Sequence, residues 1–459
     1  MSMKRLVFNY SDFIVSAEDF FYSVKYPLLV LFLTLLFWTT GWVFSGFLTF
    51  VLIACFILIN FEDLSLLISL LLSILFLPND LSYFTSPLFY LVFVPAGVCL
   101  VYHFIKFKPR KIFLGKMVKP LIFIFLTMLL GGITSANASQ NYSYGLPQIL
   151  EIGAGMFVIY FVLSQGFLPK KDINAHDYFM RIVLCAGLVP VFELYFCAVL
   201  KINAVNGTLS YNNIGWGDKN FIGYILLIII PIVFYFITRS KNILPSFALL
   251  VFLIFSTIFS RCDGAIGILV LSSPVLCFFT FKHLNKTNKN LFLCLSLLVL
   301  TIGGGITVYK AFTEPSFLRY AYRRFLETDV RDFLYITAFN VFKEFPIFGG
   351  GVFLPAMKVY ENLVNYHSSF FHVVATTGIL GLFAYVYLTV NRVRIFTAKN
   401  TPFNLFIFIS YLLFFCYASI DCGEFLIVVI FINVCSLAVE QMRYTDTLPL
   451  SKKITPLVF

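Results

Sequence analysis

Residues 219–238 read KNFIGYILLIIIPIVFYFIT, and from Phe221 to Ile237 no side chain is charged. A run of this length and polarity crosses the roughly 30 Å of a bilayer's hydrocarbon as one helix. Lone strands leave their backbone groups unsatisfied in lipid, so such runs are read as helices. The same reading repeats along the chain. Of its 459 residues, 60% are hydrophobic and 12% charged, against about 25% charged in a soluble domain. Apolar runs fall near 27–42, 44–61, 63–78, 86–105, 118–134, 147–167, 181–200, 219–238, 243–259, 264–281, 289–309, 367–390, 402–419 and 424–440. They predict an all-α, polytopic integral membrane protein of about 12–14 transmembrane helices.

A net charge of +11 fits a nucleic-acid binder in sign but not in placement. The basic residues gather in short loops beside the runs: Lys106 to Lys119, Lys170 to Arg181, Arg239 to Lys241, Lys282 to Lys289 and Arg392 to Lys399. Positive-inside bias puts these loops, and both termini, in the cytoplasm. The alternate loops, beginning near Asn79, Ser135, Lys201, Ser260, Lys310 and Ser419, then face outward. The first apolar run, from Tyr26, follows a polar lead and is succeeded at once by another, which predicts an uncleaved anchor. Most of the ten cysteines, Cys55, Cys99, Cys185, Cys277, Cys294 and Cys435 among them, lie inside apolar runs, where cysteine behaves as a small hydrophobe.

This alternation divides the chain into a cytoplasmic segment (1–25), a membrane bundle (26–309), an outward loop (310–366), further spans (367–440) and a cytoplasmic tail (441–459). The outward loop is the long polar segment of the chain. It carries Lys310, Arg319, Arg323, Arg324, Arg331, Lys343 and Lys358, nearly balanced by acidic residues, and closes on His367. Two helical pieces are expected in it: 315–328, opened by Pro315, and 330–345, stopped by Pro346 and Gly349-Gly350-Gly351.

Guanidinium forks suit diphosphate oxygens, which makes Arg319, Arg323 and Arg331 candidates for holding an anionic substrate. Each equally suits a solvated helix face. Ser260-Arg261, with Asp263 beside it, ends a span on the same outward side, where an arginine is costly without a partner or a path to water. Asp218 and Asn220 open the span that contains Pro231. His367 and Ser368 open the run HSSFFHVVATTGILGL, whose Gly378 and Gly381 are expected to let helices pack closely. Glu151 and Glu193 lie inside predicted spans, where ionisable groups are functional by default.

In order and spacing these motifs resemble the O-antigen ligase and O-antigen polymerase family of bacterial envelope glycosyltransferases. The resemblance is carried by His367, Ser368, Gly378 and Gly381; by Arg331, Tyr335, Pro346, Gly349 and Gly351; by Ser260-Arg261; and by Asn220 with Pro231. It covers roughly residues 215–390, and it departs from the family at Ser368, where asparagine is commoner. It implies transfer of a glycan from undecaprenyl diphosphate to an acceptor hydroxyl on the outer face of the inner membrane. Arg261 and Arg331, with Arg319 or Arg323, would hold the diphosphate, and His367 would be the general base. Direct attack would invert the anomeric carbon. The donor is already activated, so neither nucleotide, metal nor other cofactor is called for. The partners implied are the lipid-linked oligosaccharide, a glycan or lipid acceptor, membrane lipid and other polysaccharide-assembly proteins, with no nucleic acid.

Within the family, a repeat-unit polymerase is favoured over a ligase acting on lipid A-core or protein, because the loop is short. A flippase of polysaccharide or lipid also has 12 to 14 spans, but internal repeats are not evident in this chain. A scaffold protein would leave the arginines and His367 without a role.

Overall fold

The computed structural model describes residues 10–78, 87–108, 112–134, 148–168, 174–200, 204–205, 208–209, 219–313, 329–351, 357–359, 362–364, 366–421, 423 and 428–445. Among them the fold is helical, apart from two short antiparallel ladders, Ala204–Val205 with Thr208–Leu209 and Met357–Val359 with Asn362–Val364. The helices are α1 (Tyr10–Tyr22), α2 (Lys25–Thr40), α3 (Val43–Asn60), α4 (Ile68–Ile74), α5 (Pro87–Lys106), α6 (Val118–Thr134), α7 (Gly155–Gln165), α8 (Ala175–Leu200), α9 (Lys219–Arg239) and α10 (Leu244–Phe259). They continue as α11 (Asp263–His283), α12 (Lys286–Thr313), α13 (Asp329–Glu344), α14 (Ser369–Phe396), α15 (Pro402–Ala418) and α16 (Val429–Thr445). Seven of the described helices, α3, α5, α8, α9, α11, α12 and α14, are long and apolar enough to cross a membrane, and α1 with α2 qualifies as a pair bent by 75°.

The remaining apolar runs take other forms. The run 63–78 is a 3-10 turn (Leu64–Leu67) followed by the seven-residue α4. Its start is pinned by Asp63, whose carboxylate accepts from the backbone N–H groups of Ser65 and Leu168, each at 2.8 Å, and from the Tyr22 hydroxyl. The run 147–167 is a π-helical turn (Gln148–Ala154) leading into α7. Several expected loop residues prove helical, among them Arg181 in α8 and Arg392 in α14; Arg392 is fully buried, with its guanidinium over the Tyr411 ring.

The chain forms two compact units, each assembled from separate segments. The first comprises residues 1–115, 158–218 and 433–459. In it α8 packs on α2 and α4, and α5 packs along α3. The second comprises residues 116–157 and 219–432. Its central helix is α9, against which α10, α11 and α15 all pack. From Phe221 to Ile237 every side chain of α9 is buried except the half-buried Phe236, as expected of a helix apolar on all sides. Pro231 interrupts the backbone ladder of α9. In the turn before it, the Ile228 carbonyl accepts a hydrogen bond from the Ser410 hydroxyl of α15 at 2.9 Å.

In the same unit α14 packs against α6, α13 and α15, and it is a broken helix. Gly378 takes φ 63°, ψ −155°, and the segment after α13 fills the break. Gly350 and Gly351 donate their N–H groups to the carbonyls of Ala375 and Thr376 at 2.7 and 3.0 Å. Ile379 and Leu380 donate to the carbonyls of Pro346 and Ile347 at 2.9 and 3.4 Å. Two carbonyls before the break and two N–H groups after it are thereby paired, as irregular backbone within a membrane helix requires. The sequence pattern suggested packing as the role of Gly378. The structure makes it a break, and the space beside Gly381 is filled by Thr377 and Val373 of α14 itself, not by a neighbouring helix.

Candidate active site

Two non-glycine residues among those described have a positive φ, Arg261 at 55° and His367 at 44°. Such backbone costs about 1–3 kcal/mol per residue and persists where the surroundings over-determine it. His367 precedes the first turn of α14, and four contacts fix the turn. The Tyr335 hydroxyl donates to the His367 carbonyl at 3.3 Å. The His372 N–H donates to the Ser368 carbonyl at 2.8 Å, and the Ser369 N–H to the Asp421 carbonyl at 3.1 Å. Tyr366 is buried in a cluster with Leu334, Ala338 and Ala375, joining α13 to α14.

The imidazole Nδ1 of His367 lies 3.3 Å from Asp421 Oδ1, and the two side chains are 37% and 12% exposed. A carboxylate there accepts a hydrogen bond from Nδ1–H and fixes the tautomer, leaving the Nε2 lone pair as the basic site. Tyr366, the adjacent phenol, does not compete as a base: burial pushes its pKa up to about 12. Ser368 is buried with extended backbone at the cap position of α14. Its side chain makes no cap hydrogen bond.

Asp421 lies three residues past α15, and packing at this end of the second unit leads from it to other candidates. Tyr417, one turn earlier, contacts the Cys262 thiol at 2.7 Å, and that thiol lies 3.9 Å from Asn220 Oδ1 in the first turn of α9. The rings of Tyr224 and Tyr417 are 4.3 Å apart. A Cβ on Gly223, Gly264 or Gly423 would overlap Cys262, Tyr417 or Tyr224, so glycine is what lets the elements approach. Arg261 and Asp263 flank Cys262 in the turn between α10 and α11. Its geometry is set by the Arg261 N–H on the Ile258 carbonyl at 3.1 Å and the Cys262 N–H on Ser260 Oγ at 3.3 Å. The Arg261 side chain is exposed.

Arg331 is exposed on α13, one turn before Tyr335, so the two share a face. Tyr335 stacks on Phe371 with ring centroids 4.4 Å apart, tying this helix to the start of α14. A chain of contacts therefore runs from Asn220 through Cys262 and Tyr417 towards Asp421, then to His367 and Tyr335. Arg261 is the chain neighbour of Cys262, and Arg331 lies one helical turn before Tyr335. Asp218, Arg319 and Arg323 lie outside the described residues, as does the expected helix 315–328. Helix 330–345 is observed as α13. Glu193 is fully buried in α8, in the first unit, and its carboxyl oxygens have no hydrogen-bond partner among the described residues. The side chain of Glu151 is not described.

The residue that sequence reasoning missed is Asp421. It is 54 positions from His367 in sequence, and its visible signal was only a carboxylate just past an apolar run. Among the described residues no three His, Cys, Asp or Glu side chains group as metal ligands. The fold and site define a helical, multi-pass membrane protein with an Asp–His pair at one end of its second unit. No family model matches the chain, and no curated protein matches it.

Proposed function

We propose that the chain is a membrane glycosyltransferase of the O-antigen ligase and polymerase class, most simply a repeat-unit polymerase. It would move a glycan from undecaprenyl diphosphate to an acceptor hydroxyl. The observation that supports this reading best is the His367–Asp421 pair, its histidine on left-handed backbone beside the helix that carries Arg331. In the reaction, Nε2 of His367 takes the acceptor O–H proton as the oxygen attacks the anomeric carbon. The bond from that carbon to the diphosphate oxygen breaks, the electron pair leaves with undecaprenyl diphosphate, and the anomeric centre inverts. Arg261 and Arg331, joined by Arg319 or Arg323, stabilise the charge gathering on the leaving diphosphate.

The same proposal places the chain in the bacterial inner membrane with about 12–14 crossings, counting the shorter helices. Both termini are cytoplasmic and the site is extracytoplasmic. The test is direct: incubate purified protein with an undecaprenyl-diphosphate-linked oligosaccharide and score chain growth. Growth that needs His367 supports the reading; a fully active His367→Ala protein sinks it. The break in α14 favours one rival, a lipid-glycan flippase, because transporters build their sites from discontinuous helices. A flippase would move labelled lipid-linked glycan across vesicles without lengthening it.

A further inference from the structure

In the first unit, α5 packs along α3 and leaves much of its surface exposed. Between α5, α3, α4 and α7 lies an open groove of about 350 Å³. Its walls include Ala54 and Leu58 of α3, Leu71 of α4, Gly97 and Leu100 of α5, and Ile159 of α7, and no polar side chain lines it. Small residues keep it open: a side chain added at Gly97 would meet nothing within 4 Å. A buried water needs two to four polar partners, so this space does not suit water. In a bilayer it suits a hydrocarbon chain.

One end of the groove is marked by charge. Beside the lining residue Leu58, the His103 ring nitrogen Nδ1 lies 3.0 Å from the Leu58 carbonyl. One residue further, the Lys106 ammonium donates to the Ile59 carbonyl at 2.6 Å. Lys106 stands six residues beyond Leu100, about 9 Å along a helix, and both it and Lys108 are exposed. Glu62 is the acidic neighbour at this end and acts electrostatically on His103. Asp63, next to Glu62, is buried and taken up by Ser65, Leu168 and Tyr22. Among the described residues at the end of α5 and in the turn after α3, two exposed ammonium groups therefore face one exposed carboxylate and leave a positive mouth on an apolar slot.

We propose that this groove holds one acyl chain of an anionic phospholipid, its phosphate at Lys106 and Lys108. The site is distinct from the candidate active site and does not depend on the glycosyltransferase reading. It is tested with the full chain reconstituted in phosphatidylcholine vesicles, each containing a trace of lipid with a diazirine at the acyl end. The headgroup of that probe is phosphatidylglycerol, phosphatidylethanolamine or phosphatidylcholine. After irradiation, phosphatidylglycerol adducts should concentrate on residues 93–100 and 158–163. The reference is the exposed apolar face of α12 (Leu293, Leu297, Leu300), which sees bulk lipid.

Gly97→Phe should remove the excess while α12 labelling persists, and Ala54→Phe plugs the groove independently from the opposite wall. Lys106→Gln should lower the phosphatidylglycerol preference about fivefold, the worth of one basic residue at an anionic surface. Labelling no denser than on α12, or unchanged in both plugged variants, overturns the site. Equal labelling by all three lipids, or a preference for phosphatidylethanolamine, overturns the anionic assignment.

Discussion

His367 sits on backbone that histidine seldom adopts, and its ring is directed by a carboxylate three residues past the end of α15. If Asp421 sets the tautomer, Asp421→Asn should keep yield and elution profile while lowering the turnover number by about two to four orders of magnitude, the range for general-base assistance. A near wild-type rate would make the pair structural. Arg261 makes a different prediction. Its φ of 55° suits glycine, so Arg261→Gly should unfold within about 1 kcal/mol of wild type while transfer falls more than tenfold. A large loss of thermal stability would show that the arginine serves the fold instead. The sequence made Arg261, Arg331 and His367 visible because charge and imidazole in loops and at span ends are conspicuous in an apolar chain. Asp421 stayed hidden because its pairing exists only once α15 and the start of α14 are packed.

At the scale of elements, α13 and α14 act as one piece. The Tyr335–Phe371 stack and the Tyr335 bond to the His367 carbonyl tie them at one end. The exchange of backbone hydrogen bonds around Gly378 ties them at the other. The position of Arg331 is therefore coupled to the break in α14. Gly378→Ala would place a Cβ 2.5 Å from the Ile347 carbonyl oxygen, on backbone that disfavours any side chain. It should cost about 2 kcal/mol or more and lower the thermal midpoint in detergent by several degrees. An unchanged midpoint would mean that the break is soft. Small residues three apart read identically for packing and for a break, and only the Pro346–Gly351 segment opposite decides between them. The sequence therefore located the feature and misjudged its form.

For the whole molecule, hydropathy sufficed to predict a helical membrane protein, because nothing else accommodates so many uncharged runs. It did not reveal the two units. Each combines segments from distant parts of the chain, and local periodicity carries no information about such assembly. Nor did it separate full-length helices from short ones: α4 stops after seven residues within an apolar run that continues beyond it. The proposed sidedness has its own check. Alkaline phosphatase fused after Lys241, between α9 and α10, should be inactive, and fused after Asp332 in α13 it should be active. The reverse pattern would put the arginines and His367 in the cytoplasm, away from the proposed chemistry.

The central claim is that His367 and Arg331 act together in glycan transfer, and surface glycan from a deletion strain complemented with His367→Ala or Arg331→Ala tests it most directly. At wild-type protein levels, both variants should give the deletion's pattern on a gel: short glycan with one repeat attached for a polymerase, none attached for a ligase. Full-length glycan in both would contradict the account.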